Sequence, residues 1–145
     1  MSCPCTTSIL AASLAACGAV HIDADEVRSL VLVATDALRL AFRHPVIVAD
    51  GYPVTIRVGE VDGADGVCAW TQGSAEVVLD GDGYTLPGPL LMHELGHAMG
   101  LPHVEDRNNV MNPNPAPVGL YDAARQLAAL CREHGCREQL KVSIQ

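Results

Sequence analysis

The feature that most restricts this chain is the run His93-Glu-Leu-Gly-His-Ala-Met-Gly-Leu-Pro-His103. Residues four apart on a helix lie on one face about one turn from each other, so His93 and His97 can grip a single ion. Glu94 cannot easily ligate alongside its neighbour, but its carboxylate can reach a water beside the ion and take its proton. Catalytic zinc sites keep three protein ligands and one open position, and His103 supplies the third donor. To bring it back, the helix must stop sharply. Gly100 stands where a left-handed residue ends a helix, and Pro102 prevents continuation. From average composition, a chance match to the three histidines, the glutamate and the glycine is about one in 10⁵ in a chain of this size. The run therefore predicts one metal site, with Glu94 as general base. Zinc in such a site lowers the pKa of water to about 7.

Around that run the pattern reads as helix, strands, helix, loop, helix. Asp23-Ala-Asp-Glu26 resembles a capping box, and Val27, Leu30, Val31, Ala34, Leu38 and Ala41 recur at helical spacing up to Pro45. Val46 to Val48 and Val54 to Val61 are β-rich, separated by the turn-like Asp50-Gly-Tyr-Pro53. Val67 to Thr71 and Ala75 to Leu79 are two further strand candidates. Leu90 to Met99 carries the histidines on a second helix that stops at Gly100. Residues 101 to 119 are Pro- and Asn-rich without periodicity, a length of loop that usually has a function. Leu120, Ala123, Ala124, Leu127, Leu130 and Cys131 mark a third helix ending near Gly135. Helix first and strands next predict an α+β sandwich, a sheet backed by the long helix.

At 145 residues the chain suits one domain. Residues 23–145 are expected to form it, with 1–22 an export signal or N-terminal extension. A net charge of −8 with nine scattered basic residues excludes nucleic acid as a partner and reads mainly as a solubility feature. Ile9 to Ala16 is a short apolar run ending in small residues, and Leu14-Ala-Ala-Cys17 resembles a lipobox, although no Lys or Arg precedes it. Export is expected on this ground, with membrane attachment only through lipidation at Cys17. Six cysteines fit an exported chain. Cys131 and Cys136 are spaced either for a local bridge across a turn at Gly135 or as two buried thiols. His21, His44 and His134 lack ligand spacing.

The run at 93 to 103 resembles the signature of the metzincin clan of zinc peptidases. Asn109-Val-Met111-Asn-Pro113 looks like the Met-turn of that clan. Its short distance from His103 and its Met-x-Pro are similar to matrixins, the matrix metalloproteinase family. The resemblance implies a zincin-like fold: a twisted mixed sheet, a backing helix, an active-site helix, a Met-turn with Met111 under the metal, and a C-terminal helix. It implies one catalytic zinc, an edge strand at Val67 to Gln72 that aligns substrate by main-chain pairing, and a specificity wall at 112 to 120. It also brings structural calcium into view at Asp80 and Asp82, two carboxylates that equally suit a solvated turn. No Pro-Arg-Cys-Gly switch is present, and Pro113 stands where astacins carry a Tyr, which leaves oxyanion stabilisation mainly to zinc.

These readings lead to a monomeric, zinc-dependent endopeptidase acting on protein or peptide substrates. Two alternatives stand beside it. One is a metal-binding or structural module of the same fold, with little turnover, within a larger assembly, against which Glu94 argues. The other is a tethered lipoprotein hydrolysing a different amide.

Overall fold

In the computed structural model, which describes residues 22–81 and 86–145, the first element begins at the capping sequence. Asp23 accepts a hydrogen bond from the Glu26 backbone N–H at 2.9 Å and caps helix α1 (Ala24–Phe42). Val27, Ala34, Ala37 and Leu38 are buried along one stripe, with Leu30, Val31 and Ala41 packed beside them. The helix ends at Arg43, whose φ of 63° is left-handed, two residues before Pro45.

One mixed sheet follows, in the order β2-β3-β1-β4, from β1 (Ile47–Gly59), β2 (Gly66–Trp70), β3 (Ala75–Asp80) and β4 (Leu140–Ile144). β3 and β4 lie parallel to β1 on its two sides, and β2 runs antiparallel to β3 as an edge strand. Val54, Ile56, Val77 and Leu79 turn inward and share one core with α1, with α2 (Pro87–Ala98) and with α3 (Leu120–His134). The expected α+β architecture is present: a mixed sheet, a long first helix, the motif helix and a closing helix. Among the described residues no helix is long and apolar enough to cross a membrane.

The structure corrects the sequence reading in two places. Asp50-Gly-Tyr-Pro53 does not separate two strands, because β1 is continuous from Ile47 to Gly59. Its pairing with β4 slips instead, since Ile47 and Tyr52 both face Leu140. Turn-forming residues serve a bulge here. Gly51 is required by close approach: a Cβ there would stand 2.6 Å from the Leu140 carbonyl carbon and 2.7 Å from the Gln139 carbonyl carbon. The second correction is β4 itself, which was not anticipated beyond Gly135.

Of the two readings of the C-terminal cysteines, the bridge is the one that forms: Cys131 and Cys136 are disulfide-bonded around Gly135, whose φ is +76°. Cys3, Cys5 and Cys17, and with them the lipobox-like sequence, lie outside the described residues.

The β1–β4 contact predicts the behaviour of two glycines. Gly51→Ala forces backbone against backbone and should destabilise the protein by about 1–3 kcal/mol. Gly73→Ala, with only Thr71 Oγ1 at 4.0 Å from the new Cβ, should change stability by less than about 0.5 kcal/mol. Urea unfolding of both variants checks this, and equal midpoints would remove close approach as the reason for Gly51.

Candidate metal centre

Helix α2 starts at Pro87, where the missing N–H costs nothing, and its interior is nearly all buried. It ends as the sequence indicated. Gly100 adopts φ +93°, its N–H donates to the His97 carbonyl at 2.9 Å, and the Leu101 N–H donates to the Gly96 carbonyl at 2.9 Å. The chain is thereby turned back across the helix end toward His103.

The three histidines meet. Nε2 of His97 lies 3.2 Å from Nε2 of His93 and 3.0 Å from Nε2 of His103, and the His93–His103 separation is 3.3 Å. Backbone carbonyls fix two of the rings: His93 Nδ1–H donates to the Val110 oxygen at 2.6 Å, and His97 Nδ1–H donates to the Leu101 oxygen at 2.9 Å. A carbonyl can only accept, so the Nδ1 proton is assigned and each Nε2 presents a bare lone pair when its ring is neutral. Burial favours that neutral form. It lowers the His93 pKa to about 4, outweighing the Val110 hydrogen bond, and it lowers that of His97 as well.

Lone pairs so close repel unless a cation sits among them. A tetrahedral zinc with Zn–N near 2.0–2.1 Å sets its ligand nitrogens about 3.3 Å apart, which matches these separations. Three converging imidazoles, two of them held by carbonyls, are a donor set that could hold zinc, with a fourth position left open.

Glu94 is 3% exposed. Its carboxylate packs against the start of β2, where a Cβ on Gly66 would stand 2.9 Å from Oε2 and 3.0 Å from Leu90 Cδ1. Burial raises its pKa to about 7. Cys68, two residues along the same strand, is pushed up to about 12, first by burial and then by the Glu94 charge.

Met111 is fully buried beneath the histidines' helix. Its sulfur fills the space over Gly96, where a Cβ would collide with Sδ and stand 2.9 Å from Leu127 Cδ2. The loop around it is fastened on both sides. Asn112 Nδ2 donates to the Val104 and Glu105 carbonyls at 2.9 and 3.0 Å, and the Val104 N–H donates to the Met111 carbonyl at 3.1 Å. From α3, Gln126 Oε1 accepts from the Val110 N–H at 2.8 Å while its Nε2 donates to the Asn108 carbonyl at 2.8 Å.

The structure thus brings together His93, His97 and His103, with Glu94 buried on the same helix and Met111 packed against Gly96. Gly66, Gly96 and Gln126 were missed by sequence reasoning, as was the fastening role of Asn112. Gly96 stood inside the motif at a variable position, and Asn112 lay beside Met111. Gly66 and Gln126 carried no local signal, since only tertiary packing gives them a role. Of the calcium pair, Asp80 ends β3 and its N–H donates to the Asp65 carbonyl at 2.8 Å, while Asp82 lies outside the described residues. His44 is occupied with the Pro45 carbonyl and Glu138, away from the cluster.

The buried carboxyl predicts a pH dependence for the metal-free protein. Folded Glu94 keeps its proton up to about pH 7, whereas an unfolded carboxyl loses it near 4.5. The folded state binds more protons through that window, so the Glu94 contribution to stability declines as pH rises across it. With chelator present, wild type should lose on the order of 2 kcal/mol relative to Glu94→Gln between the two ends of the window. Denaturant titrations across the window test it, and parallel curves for the two proteins would refute the assignment.

Comparison with known proteins agrees with the geometry. The family model described as matrixin matches residues 7–122, a span that includes the histidine cluster and the loop that carries Met111. No curated protein and no solved structure matches the chain. Family match and histidine cluster together assign the chain: it belongs to the matrixin family of zinc metallopeptidases.

Proposed function

We propose that this protein is a zinc-dependent endopeptidase that cleaves protein or peptide substrates, with His93, His97 and His103 as zinc ligands and Glu94 as the general base and later acid. The observation that carries the reading is the convergence of three imidazole nitrogens within 3.3 Å of one another, two of the rings oriented by backbone carbonyls, on a helix that also carries the buried Glu94. A purely structural zinc site closes with a fourth protein ligand and needs no base.

Zinc, when bound, polarises the scissile carbonyl and acidifies water at the open position. Glu94 accepts a proton from the attacking water at its carboxylate and returns it to the leaving amine nitrogen. Burial suits both duties, because it raises the proton affinity of the carboxylate toward working pH. The outer edge of β2 offers main-chain partners to an extended peptide, a reading supported by its terminal place in the sheet. Residues 112 to 120, anchored by Asn112 and by an Ala116 N–H bond to the Arg107 carbonyl, would wall the pocket beyond the scissile bond. Export is part of the proposal, supported by the Cys131–Cys136 bridge, which persists in oxidising compartments.

Purified protein should carry about one zinc per chain, and a chelator should abolish peptide cleavage. Glu94→Gln should keep the zinc and lose about 10²–10⁴-fold in kcat/KM. Mass spectrometry of a peptide-library digest, with metal analysis of the same samples, reads both outcomes. Full activity in Glu94→Gln, or a metal content near zero, would overturn the proposal.

A further inference from the structure

Beyond α3 the chain returns to the metal centre from an unexpected direction. After the Cys131–Cys136 bridge and the positive-φ Gly135, it reverses and sets Arg137 on the C-terminal end of α2. The Arg137 backbone N–H donates to the Met99 carbonyl at 2.8 Å, and Nη1 lies 3.4 Å from where a Cβ on Gly100 would stand. The guanidinium carbon is 4.3 Å from the Tyr52 ring centroid and 5.5 Å from that of Trp70. Tyr52 in turn donates its hydroxyl proton to the Thr71 carbonyl, just past β2. Arg137 therefore joins the end of α2 to β1, to the edge strand and to the segment leading into β4.

The turn it touches governs two ligands. The Leu101 carbonyl that orients His97 follows Gly100 directly, and His103 is only two residues further. Any displacement of Gly100 moves the acceptor for one imidazole and the root of another together.

We propose that the bridged segment from Cys131 to Arg137 is a brace for the metal centre, with Arg137 as a positioning residue that keeps the Gly100 turn set so that His97 and His103 aim at a common point. The proposal rests on the reading of the three histidines as zinc ligands. Without the brace, the loop to His103 is less ordered before metal arrives, and binding must supply the ordering. Groups that hydrogen-bond metal ligands directly are typically worth about 10–100-fold in affinity, and Arg137, one step beyond the Leu101 carbonyl that is such a group, is expected at the low end of that range.

Zinc dissociation constants, measured by competition with a chromophoric chelator, and the visible spectrum of the cobalt-substituted protein test the brace. They are compared for wild type, Arg137→Ala, the double variant Cys131→Ser/Cys136→Ser, and Val27→Ala, a core truncation in α1 that controls for loss of stability. Arg137→Ala and the double variant should bind zinc about 10-fold more weakly and shift the cobalt bands, while Val27→Ala melts lower yet binds like wild type. Affinities equal to wild type in both brace variants, or a weakening that Val27→Ala shares, overturn the brace and leave the ligand assignment standing. Failure of wild type itself to bind zinc overturns the ligand assignment and the brace with it.

Discussion

Three imidazole nitrogens within 3.3 Å of one another are an arrangement that the rest of the chain has to impose. Burial favours the neutral form of two of the rings, His93 and His97, so their bare nitrogens meet at close range. The surrounding structure has to hold them there. Val110 and Leu101 supply carbonyls that set ring orientation, and the segments bearing those carbonyls are themselves fixed by Gln126 from α3 and by the Gly100 turn. The folding energy of the helices and sheet is in this way converted into geometry at a point where no protein atom sits.

Packing below the site uses the same economy. Gly96 has no side chain because Met111 occupies its place, and Met111 stays there because Asn112 and the Val104 N–H fasten its loop to the stretch after His103. A flexible thioether on a bare patch of helix lets two irregular loops approach α2 closely. Above the site Gly66 has the corresponding role, making room for the Glu94 carboxylate between β2 and the helix. Both faces of the motif helix are thus shaped by glycines whose partners are distant in sequence.

The sequence was most legible where chemistry and local geometry coincide. Three histidines at fixed spacing, a glycine that ends the helix and a proline beyond it encode their arrangement within eleven residues, and the structure has them together. The capping residues of α1 and the apolar stripes of α1 and α3 were equally plain, because helix periodicity is a local property. Legibility failed where the cause is tertiary. Asp50-Gly-Tyr-Pro53 has the composition of a turn, yet Gly51 is small to let the backbone of Gln139 and Leu140 pass. Gln126 looks like any exposed helix polar residue until α3 is docked beside Val110. Asp82 and Cys17, on which calcium and lipidation turn, lie outside the described residues.

The place of β4 has a kinetic side. Its partner β1 ends at Gly59, and the pairing residues of β4 arrive about 80 residues later, after the histidines, the Met111 loop and α3. Closing a separation that large is entropically slow to begin and sets the contact order of the sheet. Until it closes, the strand destined to be central in this sheet presents an open parallel edge, of the kind that recruits other chains. The bridge between Cys131 and Cys136 and the seating of Arg137 lie immediately before β4, so they direct the strand toward that edge. A segment that braces a metal site in the finished molecule is, during folding, the guide that shortens the search for the last strand.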